Sequence, residues 1–106
     1  MRSIYVSATA ATDGIPVLID RDTELTYAIL GGLVVVSTSP AATIANTATA
    51  APGGQVNHLI AFCGSAASGV FSSQIIKFPL TKGETVYVSV GTANRGAHLF
   101  FTDPDS

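Results

Sequence analysis

Apolar and polar residues alternate along most of this chain. In "SIYVSAT", Ile4, Val6 and Ala8 fall on one side and Ser3, Tyr5 and Ser7 on the other. In "ETVYVSV", Val86, Val88 and Val90 oppose Thr85, Tyr87 and Ser89. A period of two places successive side chains on opposite faces of an extended strand, so each segment predicts a strand with one buried face. "ELTYAIL" repeats the pattern and puts Leu25, Tyr27 and Ile29 in one row. "IPVLI", "LVVVST", "VNHLIAF", "GVFSSQIIKF" and "AHLFFT" bring the total to about eight segments, rich in the β-branched and aromatic residues that pack well in sheets.

Turn residues separate the segments. Asp13-Gly14 stands before "IPVLI", "DRD" at 20–22 before the next segment, and Gly31-Gly32 marks a bend, a bulge or a tight turn. "TKGE" places Gly83, and "NRG" places Gly96, where a hairpin needs a residue at positive φ. The closing "TDPDS" reads as a polar tail over 103–106, held out of the last strand by Pro104. Helical periodicity is lacking throughout. Short antiparallel strands spaced by turns predict an all-β fold: a two-sheet, jelly-roll-like sandwich forming one domain over 1–106.

One stretch does not fit the pattern. "TSPAATIANTATAAPGGQ", residues 38–55, has no charge and a single large apolar side chain, Ile44. It reads as an extended arm, a tolerated loop, or a weak Thr-rich strand around 42–48. The arm reading is preferred here. Fully extended, such a segment spans at most about 60 Å, enough to cross a neighbouring subunit. Small uncharged side chains also desolvate cheaply at a contact.

Composition sharpens that preference. Charged residues make up 11% of the chain, and none occurs in the fifty-two positions between Glu24 and Lys77. A surface this neutral is suited to being covered by partners rather than to keeping a monomer dispersed. The net charge of −2 offers no field for nucleic acid or an anionic membrane. No apolar run reaches the roughly twenty residues of a membrane helix. The N-terminus lacks the apolar core of a secretory signal, so synthesis in a reducing cytoplasm is expected. Cys63 is the lone cysteine, so no disulfide forms within the chain.

Chemistry-bearing residues are sparse. Cys63 and His58, five apart, point to opposite faces of an unbroken strand, which argues against a nucleophile with its base. His58 and His98 lack a third metal ligand. Asp20, Asp22 and Glu24 alternate in "DRDTE" and could share a face, but the glycine and distal glutamate of a helix–loop–helix calcium site are missing. "CGSAASG", 63–69, lacks the lysine of a phosphate loop. Tyr5, Tyr27 and Tyr87 offer a platform for sugar rings or a subunit contact, with Tyr27 placed on the apolar side beside Leu25. No catalytic residue, cofactor or metal site is expected.

In its general style, "RSIYVSATAATDGIPVLIDRDTELTYAIL" as an opening β unit and "FPLTKGETVYVSVGTANRGAHLFFTD" as closing hairpins, the chain resembles the small all-β decoration (cement) and head-fibre proteins of tailed bacteriophages. The resemblance implies a virion protein that binds an assembled capsid lattice, often as a trimer. Its partners are then itself and a major capsid or other shell protein, without nucleic acid or membrane. The candidate contact residues are Ile4, Tyr5, Pro40, Ile44, Asn46 and Pro52. The alternative is a carbohydrate-binding or adhesion module of a fibre or surface structure.

Overall fold

The computed structural model describes residues 1–38, 59–63 and 71–104. Their alternating segments form β1 (Arg2–Ala8), β2 (Thr12–Leu18), β3 (Thr23–Gly31), β4 (Val34–Ser37), β5 (Leu59–Cys63), β6 (Phe71–Leu80), β7 (Thr85–Val90) and β8 (Arg95–Thr102). All ladders are antiparallel and build two four-stranded sheets, ordered β1-β8-β3-β6 and β2-β7-β4-β5.

The topology has a simple logic. β1 pairs with β8, β2 with β7, β3 with β6 and β4 with β5. The first four strands thus pair in reverse order with the last four, as one long hairpin rolled so that alternate pairs fall in opposite sheets. This is the winding of a jelly roll. The 38–55 stretch lies between β4 and β5 in the chain; beyond Thr38 it is outside the described residues, as are His58 and 64–70.

The inner faces meet in one core. Leu25, Ala28 and Leu30 of β3 and Ala97, Leu99 and Phe101 of β8 pack with Val34, Val36, Val86, Val88 and Val90 of the second sheet. Each large buried side chain contributes about 1.5–3 kcal/mol relative to exposure.

Two expectations about local geometry change. The row Leu25, Tyr27, Ile29 is broken by a β-bulge. Leu25 pairs with Phe78 and Tyr27 with Ile75, so Ile76 and Lys77 together oppose Thr26. Against β8, Leu25 pairs with Phe101 and Tyr27 with Phe100, so there Thr26 is the extra residue. It breaks the alternation of β3, and Leu25, Ala28 and Leu30 are buried while Tyr27 and Ile29 turn outward. Positive φ also falls elsewhere than on some of the expected glycines. Gly83 does take it, at +96°, but the turn before β8 uses Asn94 (+60°) and the one after β3 uses Leu33 (+58°). Gly14 (+66°) lies at a bulge within β2 rather than ahead of it, its N–H donating to Ser89 Oγ.

Candidate functional site: the outer face of the β1-β8-β3-β6 sheet

The bulge determines what this sheet shows to the outside. With Tyr27 and Ile29 turned outward, the register sets up two complete rows across four strands. One row is Tyr5, His98, Ile29 and Ser73; the next is Ser3, Phe100, Tyr27 and Ile75. Ser7, Gly96, Gly31 and Phe71 continue the face toward one end. None of these twelve residues is Asp, Glu, Lys or Arg. Tyr5, Phe71 and Ile75 are more than half exposed, at 58%, 69% and 77%.

Four rings form a ladder across the strands. Tyr5 and His98 lie 4.7 Å apart, His98 and Phe100 5.9 Å, and Phe100 and Tyr27 5.6 Å, all tilted by about 45–54°. These spacings lie in the favourable range for aromatic pairs, which prefer tilted over face-to-face stacking. The rings are held by strand register and by their neighbours, so the face is preformed.

At the Gly31–Gly96 end the face dips into a half-open cleft of about 230 Å³. Tyr5, His98, Ile29 and Phe71 line it, and the two glycines leave part of it without side chains. A Cβ on Gly31 would sit 3.2 Å from the Gly96 carbonyl and 3.4 Å from Arg95 Cδ, reducing the cleft. Gly96 answers a different need: its Cβ would stand 2.2 Å from the Val6 carbonyl, inside the β1 ladder. Asn94 and Arg95 close the cleft's end. One guanidinium nitrogen of Arg95 donates to the carbonyls of Ala93 and Asn94 (3.2 and 3.3 Å), while its Nε is buried without a hydrogen-bond partner among the described residues.

Near the chain termini, charges are paired instead. Arg2 Nε donates to both Asp103 oxygens (3.3 and 3.2 Å), Arg21 reaches Asp103 and Asp20 at 3.4 Å, and the Thr23 hydroxyl donates to Asp103 at 2.6 Å. The Thr23 hydrogen bond, with Arg2 and Arg21, holds the Asp103 carboxyl below its usual range, against the opposing effect of desolvation. Asp20 is lowered chiefly by its hydrogen bond from Arg21. This network joins the start of β1, the β2–β3 turn and the end of β8.

The residues singled out in the sequence divide accordingly. Tyr5 belongs to the outer face, whereas Ile4, next to it, points inward and packs against the core. Pro40, Ile44, Asn46 and Pro52 lie outside the described residues. Tyr27 joins Tyr5 on the outer face, and Tyr87 sits in the other sheet. Cys63 is buried in the core, on the opposite side of the sandwich wall from His98. The "DRDTE" carboxylates are used separately: Asp20 by Arg21, Asp22 by the Lys82 N–H at 2.9 Å, and Glu24 by the Thr26 hydroxyl at 3.0 Å. Among the described residues no three His, Cys, Asp or Glu side chains converge as metal ligands do. The sequence reading missed Phe71, Ile75 and Phe100. The alternation in "FSSQII" carried a signal for the first two, but Phe100 follows an apolar neighbour in "HLFF", where alternation is silent. No family model, no curated protein and no solved structure matches this chain.

Proposed function

We propose that the chain is a non-enzymatic structural protein of a virion, which self-associates and binds an assembled capsid lattice through apolar, low-charge contacts. The observation that carries this reading is the set of uncharged rows on the outer face with their four-ring ladder. The jelly roll alone does not decide, because the architecture serves capsid proteins, lectins and enzymes alike. The surface discriminates further. Exposed aromatic and aliphatic side chains in uncharged rows on a rigid sheet match the composition of interface centres. A specific contact needs about 800 Å² per partner, and lattice symmetry repeats every such contact.

The test is co-sedimentation of the folded chain with a panel of assembled tailed-phage capsids lacking decoration proteins, in high salt. Saturable binding that Ile75→Asp or Phe71→Asp abolishes is the expected result. No binding to any shell, with a monomer in light scattering, removes the reading.

A second reading, a carbohydrate-binding module, is favoured by the cleft. Tyr5, His98 and Phe71 offer ring faces for the C–H side of a sugar, and Asn94 and Arg95 offer polar groups beside them. It predicts that Tyr5→Ala abolishes retention on immobilised glycans while leaving the oligomeric state unchanged.

A further inference from the structure

A β-sheet edge exposes unpaired N–H and C=O groups, and natural proteins blunt such edges with bulges, prolines or charge. Among the described residues the edge strands are β1, β6, β2 and β5. β6 carries the Lys77 bulge and Pro79, and Gln74 ties it to the Phe62 carbonyl of β5. β2 carries a bulge between Thr12 and Ile15, with Pro16 behind it. β5 slips register where Ser37 pairs with Leu59, leaving Ile60 as the extra residue. β1 has none of these. Its register with β8 runs unbroken from Arg2↔Phe101 to Ala8↔Arg95, and its other side pairs with no strand among the described residues. Its one charge, Arg2, sits at the end and is engaged by Asp103.

The same strand is incompletely covered. Ile4, Val6 and Ala8 point toward the core but are only partly buried, whereas Ala97, Leu99 and Phe101 on adjacent β8 are 0–1% exposed. Something laid along β1 would finish their burial.

The strand's own sequence says what fits. "SIYVS", Ser3 to Ser7, reads nearly the same in both directions about Tyr5. An antiparallel copy centred there sets Tyr5 against Tyr5, Ser3 against Ser7, Ile4 against Val6 and Arg2 against Ala8. Serine meets serine and aliphatic meets aliphatic, and no like charges oppose one another. We infer that β1 is a two-fold dimerisation edge, at which a second copy of this chain pairs antiparallel about Tyr5 and joins the two β1-β8-β3-β6 sheets into one of eight strands. The inference rests on the self-association proposed above and adds its symmetry and register. Such an interface is isologous and leaves the ring ladder open on one face of the combined sheet.

Light scattering at about 0.15 M and about 1 M salt tests it, together with a charge exchange at the axis. The unaltered chain is expected at twice its 10.8 kDa mass. Tyr5→Lys and Tyr5→Glu, each placing like charges face to face, are expected to be monomeric with an unchanged far-ultraviolet circular dichroism spectrum. Their equimolar mixture is expected to return to the dimer mass, because only a residue that meets itself can be rescued this way. Hydrogen exchange of the unaltered chain gives a reading that needs no substitution: the outward amides of Arg2–Ala8 slow with concentration while those of β2 and β6 do not. A monomer at every concentration overturns both this inference and the self-association beneath it. A dimer indifferent to Tyr5→Lys, a mixture that stays monomeric, or a trimer overturns the β1 pairing alone.

Discussion

Leu25 and Tyr27 stand two residues apart on β3 and face opposite sides of the sheet. Leu25 is fully buried opposite Phe101 and Phe78, whereas Tyr27 packs outside against Phe100 and pairs with Ile75. The bulge between them places Thr26, whose hydroxyl bonds Glu24 and lies 2.8 Å from that of Thr102. Thr26, an extra residue against β8, moves a tyrosine and an isoleucine from the core side to the outer face.

The bulge gives the first prediction. Lys77 holds φ at +56°, a conformation that costs L-residues roughly 1–2 kcal/mol. Lys77→Ile is expected to lower stability by about 1–2 kcal/mol, since a β-branched side chain suits positive φ least. Ser73→Ile, on an exposed and regular position of the same strand, is expected to change it by less than about 0.5 kcal/mol. Urea unfolding midpoints compare the two. Equal effects would mean that the bulge is not the source of the strain.

The two glycines beside the cleft separate packing from binding. Gly96→Ala drives a methyl to 2.2 Å from the Val6 carbonyl, so β1 must move away from β8. A loss of about 1–3 kcal/mol, the usual cost of overpacking, is expected, with faster amide exchange in β1. Gly31→Ala meets its nearest neighbours at 3.2 and 3.4 Å and needs shifts of only tenths of an ångström. It is expected to change stability by less than about 1 kcal/mol while weakening any ligand that fills the cleft.

Much of this architecture was legible in the residues themselves. Alternation in "SIYVSAT" and "ETVYVSV" gave β1 and β7 with their buried faces, because a strand with one wet side enforces a period of two. Gly83 was legible as a turn because a hairpin needs a residue at positive φ there. Tyr27 was not, since Thr26 becomes an extra residue only through the register of β3 with β8, and nothing in "ELTYAIL" marks it as one. Ile4, placed by alternation on the apolar side of β1 and also named as a contact candidate, follows the alternation and packs against the core. The ring ladder depended on register between strands far apart in the chain, Tyr5 with His98 and Tyr27 with Phe100. No local pattern encodes that register.

Acid should loosen the ends of the chain first. The Asp103 carboxyl titrates lower in the folded protein than in the unfolded chain, where it takes its ordinary value of about 3.9. Below that value the unfolded chain binds the proton more readily, so this contribution is fully present above about pH 5 and disappears as pH falls through the depressed value. Unfolding midpoints are therefore expected to be level near neutrality and to drop below about pH 4. Asp103→Asn is expected to lower the neutral plateau and flatten that drop. An unchanged acid limb in the variant would show that other carboxylates dominate.

Cys63 tests the core directly. The thiol is 6% exposed, lies on β5 opposite Val34 and belongs to the central apolar cluster. A thiol so enclosed reacts only when the structure opens. Its modification by a disulfide reagent under native conditions is expected to be slow, and to accelerate with urea in step with loss of the β circular dichroism signal. Cys63→Ser is expected to cost about 1–3 kcal/mol, the penalty for placing a hydroxyl where no partner is arranged for it. Rapid labelling of a chain whose spectrum stays native would instead make β5 a locally opening strand. The seam between β5 and β6, bridged by Gln74 and the Phe62 carbonyl at 2.8 Å, would then be the weak side of the sandwich, rather than the flank of β1 that pairs with no strand among the described residues.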